Sequence, residues 1–469
     1  MRFIVLLFIS LLPFSFSAQK RGMDMPPPPS DVLVDSTTIR SIYDEVLANG
    51  EAHEQLKVLC KDIGHRLSGS PQLDAAIEWG RTLLENYQPD TVFLQPVMVP
   101  HWTRGDHEAA AMHSNRESTP LSITALGGSV GTNGTLRAKV LMVKYLSDLD
   151  SMPREKVEGR IVFYNRPMDP LLINTGAAYG GAFDQRSDGA SKAAEKGAVG
   201  VLVRSLTHAL DTFPHTGSMR YREGIDRIPA AGISTVSAYA LSQALKKDRD
   251  LEVSMELSCE AFPDKQQYNV IAELRGTTYP DEYIVVGGHL DSWDIGEGAH
   301  DDGAGIVQSI EVLRTFQALG MRPKHTLRVV LFINEENGNN GGETYAAVAK
   351  ETGLKHFAAI ESDSGGFSPR GFSMECDEEM YAAFKSWLPL LEPYGIHAAR
   401  RGWSGVDIRP LKDDYVSLFG LMPDNQRYFD YHHSANDIWE NVNKRELELG
   451  AAGIASLVYL LDKYRPGIQ

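Results

Sequence analysis

Six acidic and imidazole residues in the second half of the chain occur where chemistry could use them. His289 follows the apolar run 283–287, Glu335 and Glu336 follow 326–333, and Asp363 follows 356–360. Asp301 sits in a glycine-rich turn twelve residues after His289, and His433 in the loop 431–434. Carboxylate oxygens mixed with imidazole nitrogens suit Zn²⁺ at a site with an open coordination position. Four carboxylates and two imidazoles exceed the needs of one tetrahedral zinc. Two metals bridged by one carboxylate would use them all and leave one carboxylate as general base. Taken singly, a His-x-Asp or a Glu pair is ordinary on a solvated surface. Their recurrence past successive apolar runs argues for a site.

The runs 283–287, 326–333 and 356–360 are short and apolar, as buried strands are. Between them, 304–319 places Ile306, Ile310, Leu313 and Phe316 on one helical face, and 444–464 reads as a closing helix. Strands alternating with helices predict an α/β sheet whose strand ends collect functional groups. Earlier, helices are expected from Ser36 onward and from Ser70-Pro71 to about Tyr87, then a strand over 91–99. The segment 121–263 differs in texture, with short β-like runs at 138–144, 159–164 and 200–203 among glycine-rich turns. It predicts a β-rich unit inserted into a domain formed by 36–120 and 264–469.

With 469 residues, 42% apolar and 23% charged, the chain has globular composition and room for two domains. A net charge of −16 argues against a nucleic-acid partner. Residues 1–18 read as a secretory signal peptide, with Arg2, an apolar run over 3–12 and small residues near Ala18. The run is too short to span a bilayer, so export to the outside or the periplasm is expected, with no membrane attachment after cleavage. Residues 19–35, with four consecutive prolines, read as a disordered leader. Cys60, Cys259 and Cys376 allow one disulfide at most and form no metal cluster.

In the order His289, Asp301-Asp302, Glu335-Glu336, Asp363, His433, the chain resembles the co-catalytic zinc exopeptidases of the M28 type. The strings GHLDSW (288–293), RLSGS (66–70), PHW (100–102), PHTG (214–217) and HHS (432–434) resemble its plasma glutamate carboxypeptidase branch over nearly the whole mature length. GRIV (159–162), KGAVG (196–200) and Ile228-Pro229 resemble a protease-associated insert. The resemblance implies the zinc exopeptidase fold, a mixed sheet flanked by helices, and two zinc ions per chain. It makes Asp301 the bridging ligand, with His289 and Asp363 completing one zinc and Glu336 and His433 the other. Glu335 is then the general base, and Asp291 orients the His289 imidazole. His433 rather than His432 is implied because the family ligand precedes Ser or Thr. A cis Asp301–Asp302 bond, a homodimer, and dipeptide or short-peptide substrates with free termini are also implied. The loop 214–217 is expected to reach toward the site, and Gly405 and Asp407 to line or support it. The string NGNNGG (337–342) is richer in Asn and Gly than the family run after the Glu pair.

Other chemistries fit less well. Asp363-Ser364-Gly365-Gly366 mimics a trypsin-like nucleophile motif, but the α/β patterning opposes a double β-barrel. The one Gly-x-Ser-x-Gly match, GGSVG at 127–131, lies among glycine-rich turns with no helical run after it, so it does not read as a nucleophile elbow, and no His-Glu-x-x-His occurs. A single-zinc aminoacyl cyclase would not need the bridged set. An aminopeptidase acting on longer peptides and a non-catalytic receptor-like homologue stand as alternatives. The latter should have lost at least one of the six groups.

Overall fold

The computed structural model describes residues 30–114, 117–413 and 415–466. Two eight-stranded sheets organise it. At the centre of the first lie four parallel strands, in the order His325–Phe332, Tyr279–His289, Lys355–Glu361 and Ser417–Pro423. Antiparallel strands Glu260–Leu274 and Thr91–Thr103 extend one edge; Pro369–Glu375 and Ala398–Arg401 extend the other. The sheet is therefore mixed and flanked by helices, as expected.

Every residue of His325–Phe332 is buried, which explains its largely apolar run; the exception inside it, Arg328, is paired with Glu273. Alternate residues feed different cores. Ile284, Val286, Val329 and Leu331 pack with the helices Ala304–Ala318 and Lys444–Tyr464, whereas Val285, Val330 and Phe332 pack with Tyr345 and Ala349 of Asn340–Thr352. The helix Pro71–Asn86 starts as its sequence predicts: the Ser70 hydroxyl accepts from the Leu73 N–H at 3.1 Å, with Pro71 in the first turn.

The helix expected from Ser36 instead begins at Ser30, so residues 30–35 belong to it rather than to a leader. Its anchor is Asp35, whose buried carboxylate accepts from the Tyr459 hydroxyl at 2.7 Å and pairs with Lys463 at 2.5 Å. That contact crosses more than 400 residues and cannot be seen in local periodicity. The signal peptide and residues 19–29 lie outside the described residues.

The second sheet runs in the order Glu117–Pro120, Glu108–Ser114, Glu252–Leu257, Leu136–Val143, Ile161–Tyr164, Gly200–Arg204, Ala230–Ile233 and Ile123–Ala125. It takes in strands from 108 onward, earlier than the texture change at 121. The Ala-rich run 108–114 carries little β signal; its pairing with Glu252–Leu257 decides its place. Among the described residues no helix is long and apolar enough to cross a membrane. The three cysteines are free, and burial pushes the Cys60 thiol up to about 12.

Arg66, in the turn before Pro71–Asn86, ties the loop after His289 to the body of the fold. Fully buried, it donates through Nε to Leu290 O (2.7 Å), through Nη1 to Gly64 O (3.0 Å) and Glu297 O (2.6 Å), and through Nη2 to Gly298 O (2.9 Å). Arg66→Met would leave these buried carbonyls short of a donor, at about 1–3 kcal/mol each before relaxation. Thermal unfolding should shift down by an amount corresponding to at least about 3 kcal/mol. Arg66→Lys should recover only part, since an ammonium lacks the planar fork. An unchanged midpoint for Arg66→Met would show that this loop is held by other contacts.

Candidate active site

The six residues converge. His289 closes the strand Tyr279–His289, and its Nε2 lies 3.4 Å from Asp301 Oδ1, 3.6 Å from Asp363 Oδ1 and 4.0 Å from Glu335 Oε2. His433 Nε2 lies 3.2 Å from Asp301 Oδ2 and 3.0 Å from Glu336 Oε2. Asp301 thus offers one oxygen to each imidazole, and two triads share it. The Asp301–Asp302 peptide bond is cis. Asn334 takes a left-handed turn (φ 67°) at the end of the strand, a conformation Asn tolerates, and past it Glu335 faces His289 while Glu336 faces His433. Side chains of Glu335 and Asp363 are 19% and 20% exposed, while the other four are nearly closed off.

Buried carboxylates fix the backbone beneath the site. Asp437 accepts from the N–H groups of His300 (2.7 Å) and Asp301 (3.1 Å). Asp302 accepts from His289 N (3.1 Å) and Gly305 N (3.0 Å). Asp291 accepts from Glu335 N (3.1 Å) and Glu336 N (3.2 Å). The His289 imidazole is oriented by the Asp291 carbonyl, which lies 3.0 Å from Nδ1, while the Asp291 carboxylate is 3.8 Å away. Residue 291 therefore steadies the imidazole through its main chain and the Glu pair through its side chain. Glu361 likewise accepts from Val406 N (2.8 Å) and Ile408 N (2.9 Å), with Gly405 against its carboxylate. Asp407 is wholly buried, and its carboxyl is pushed well above the usual range by burial and by Glu361.

Burial alone would raise Asp301, but His432, His289 and His433 outweigh it and hold the carboxylate well below its ordinary range. Glu336 is pushed up to about 7 by burial and then by the Asp301 charge. Burial and the charges of Asp363, Glu336 and Asp301 likewise push Glu335 well up, against the pull of His289. Such crowding of acids calls for cations. His289 Nε2, Asp301 Oδ2 and Glu336 Oε1 are buried without a hydrogen bond, and the donor atoms of His289, Asp301 and Glu336 lie within 4.8 Å of one another. Imidazole and carboxylate donors left free at that spacing fit zinc. Two neighbours could compete as ligands. Both oxygens of Asp302 are already taken by backbone N–H groups. His432 stacks on His433 with ring centroids 3.5 Å apart, and its Nε2 is 3.7 Å from Asp301 Oδ2, farther than that of His433.

The second sheet completes one wall. Thr216 N donates to His433 O at 2.9 Å, His215 bridges Ser434, and Ser218 Oγ donates to Glu336 O at 2.6 Å. The loop 214–217 therefore reaches the site. Trp293 packs edge-on to His433, with Gly127 of the second-sheet segment against its ring. Arg186, its Nη1 3.3 Å from His433 Nδ1, went unnoticed in the sequence. Nothing local marks it; only the approach of the second sheet brings it there. Ser218 comes to Glu336 in the same way, whereas the roles of Asp302 and Asp437 lie in backbone hydrogen bonds that residue type and spacing do not reveal.

Residues 269–458 match the model of peptidase family M28. Carboxypeptidase Q of Bos taurus is 33% identical over 415 residues, covering 88% of this chain and 86% of its own length. The crystal structure of a peptidase M28 precursor from Shewanella amazonensis superposes with a TM-score of 0.87 at 34% identity, covering 92% of this chain and 97% of that one. A zinc aminopeptidase from Bacillus subtilis shares the fold, with a TM-score of 0.62 at 19% identity over 87% of this chain and 94% of that one. The chain belongs to peptidase family M28, as a zinc metallopeptidase similar to carboxypeptidase Q.

Proposed function

We propose that this metallopeptidase is an exported exopeptidase that hydrolyses dipeptides or short peptides with free termini, using two zinc ions and Glu335 as general base. The observation that carries it is Asp301, whose two oxygens face two different imidazoles, each with its own second carboxylate nearby. His289, Asp301 and Asp363 would hold one zinc; Asp301, Glu336 and His433 the other. Four buried or half-buried carboxylates carry the charge that two divalent cations cancel, which removes the cost of gathering them. All six groups are present and converge, which argues against a non-catalytic homologue.

Zinc at these residues supplies Lewis-acid polarisation of the scissile carbonyl and of the attacking water. Glu335, more exposed than Glu336, accepts the proton the water loses as its oxygen bonds to the carbonyl carbon. It returns a proton to the leaving nitrogen as the C–N bond breaks, giving an amine and a carboxylic acid. Asp291 holds the backbone of both glutamates, so base and ligand keep their separate directions. The second sheet, read as a protease-associated insert, walls the site through Thr216 and Ser218 and favours short substrates. A homodimer fits the family resemblance.

Three outcomes test this. Purified protein should contain close to two zinc ions per chain by elemental analysis, and chelation should abolish hydrolysis; an active enzyme with one tightly held ion would end the shared-carboxylate scheme. Glu335→Gln should keep its zinc and lose about 10²–10⁴-fold in turnover, the worth of general-base catalysis. Glu336→Gln should lose one zinc, with some activity restored by excess zinc; near-normal turnover of Glu335→Gln with both ions bound would refute the assignment. Dipeptides should be cut and their N-acetylated forms left intact, measured by release of free amino acids. Efficient cleavage within long blocked peptides would point to an endopeptidase.

A further inference from the structure

We propose that a cavity at the start of the strand Lys355–Glu361 is a second binding site, which takes a small molecule with an apolar body and a single carboxylate. It lies apart from the metal ligands and takes no part in the hydrolysis described above.

The cavity measures about 750 Å³, inside the roughly 300–1,000 Å³ of small-molecule sites. Ala346, Leu354, Leu411 and Val416 give it an apolar floor at the edge of the core around Tyr345. His356 lines it too, one residue into the strand, whereas Asp363 lies just past that strand's other end. At about 3.3 Å per residue the two are on the order of 20 Å apart. A small ligand held here does not reach the metal ligands.

His356 gives the cavity a directed donor. The residue is only 9% exposed. The Tyr345 hydroxyl accepts from Arg328 Nη1 at 2.9 Å and lies 2.9 Å from His356 Nε2. Tyr345 is buried, and its hydroxyl proton has no other acceptor among the described residues, so it goes to His356 Nε2. Burial and then the Arg328 charge push the imidazole down to about 4. At neutral pH the ring is therefore neutral, and its one proton sits on Nδ1. Nδ1 makes no hydrogen bond to any described residue, and the ring borders the cavity. A nearly buried N–H in that position calls for an acceptor.

Charge sets the sign of that acceptor. Lys350, Lys355, Lys412 and Arg465 line the cavity against Glu282 and Asp413. Arg465 pairs with Glu282 at 2.6 Å, and Lys412 pairs at 2.6 Å with Glu375, which is not part of the wall. Asp413 turns Oδ1 to the N–H groups of Tyr415 (2.7 Å) and Val416 (3.0 Å). Lys350 and Lys355 are exposed, and neither has a carboxylate within 4.0 Å among the described residues. In a chain of net charge −16, this wall carries cations in excess. A cationic ligand would meet two unpaired lysines, and a wholly apolar one would leave the His356 N–H unanswered. A carboxylate on an apolar body answers donor, cations and floor together.

Calorimetry on the zinc-loaded protein tests this with octanoate and N-acetylleucine, which carry the same chemistry from a lipid and a peptide source. Their amides and acetate are the controls. At least one acid should bind once per chain, about tenfold or more tighter than its amide, the worth of a charge-assisted hydrogen bond. The tighter acid identifies the source. Acetate, which lacks the apolar body, should bind at least about tenfold more weakly than that acid. Replacing both lysines, Lys350→Met with Lys355→Met, should weaken the acid by about tenfold. His356→Phe should weaken it similarly, and Ala346→Phe, which fills the cavity, should abolish binding. Should either phenylalanine variant not fold, the exposed lysine pair decides. Equal binding of acid and amide overturns the proposal, as does no binding of either acid. An acid that binds the lysine variant or Ala346→Phe as it binds wild type also overturns it, since the ligand would then sit at the metal site.

Discussion

Four buried carboxylates, each accepting two backbone N–H groups, are the constraint on which the site depends. Asp291, Asp302, Asp437 and Glu361 use this device on the loops that carry the Glu pair, His289, Asp301 and the segment 406–408. Loops past strand ends have no ladder partners for their N–H groups, and a buried N–H without an acceptor is costly. A carboxylate answers two such groups at once and fixes their relative position. Arg66 is the complement, answering carbonyls of the same loops. Charge that a core would ordinarily exclude is here structural, and it keeps six reactive side chains where they meet.

The second sheet belongs to the site as much as the first does. Its segment reaches His433 and Glu336 through main-chain and hydroxyl hydrogen bonds, and Arg104 ties its strand region to Asp294 in the loop after His289. The sheet that bears most of the acidic groups leaves one wall open, and the other sheet supplies it. Chemistry and access are thereby given to different parts of the chain. Substrate choice can change in the second sheet while the carboxylate–imidazole set stays as it is.

Much of the first sheet was legible because its central strands are buried on both faces and therefore read as largely apolar runs, as in 326–333, where Thr326 and Arg328 are the polar members. The second sheet's edges were not. The segment 108–114 has weak local preference and is a strand because Glu252–Leu257 lies beside it. The start of the first helix was misplaced for a similar reason: Asp35 is held by Tyr459 and Lys463, contacts that periodicity over a few turns cannot register.

By itself the sequence determined the inventory: which donors the chain owns, that they follow apolar strands, and that carboxylates and imidazoles recur there in a set suited to zinc. Residue type and spacing carry that information, because strand ends in an α/β sheet lie together whatever the details of packing. Tertiary structure alone decided which oxygen of Asp301 faces which imidazole, that Asp291 steadies His289 by its carbonyl rather than its carboxylate, and that Arg186 stands behind His433. These are distances between segments far apart in the chain. They are set by how two sheets pack and where buried charges find partners, and no local pattern of residues encodes them.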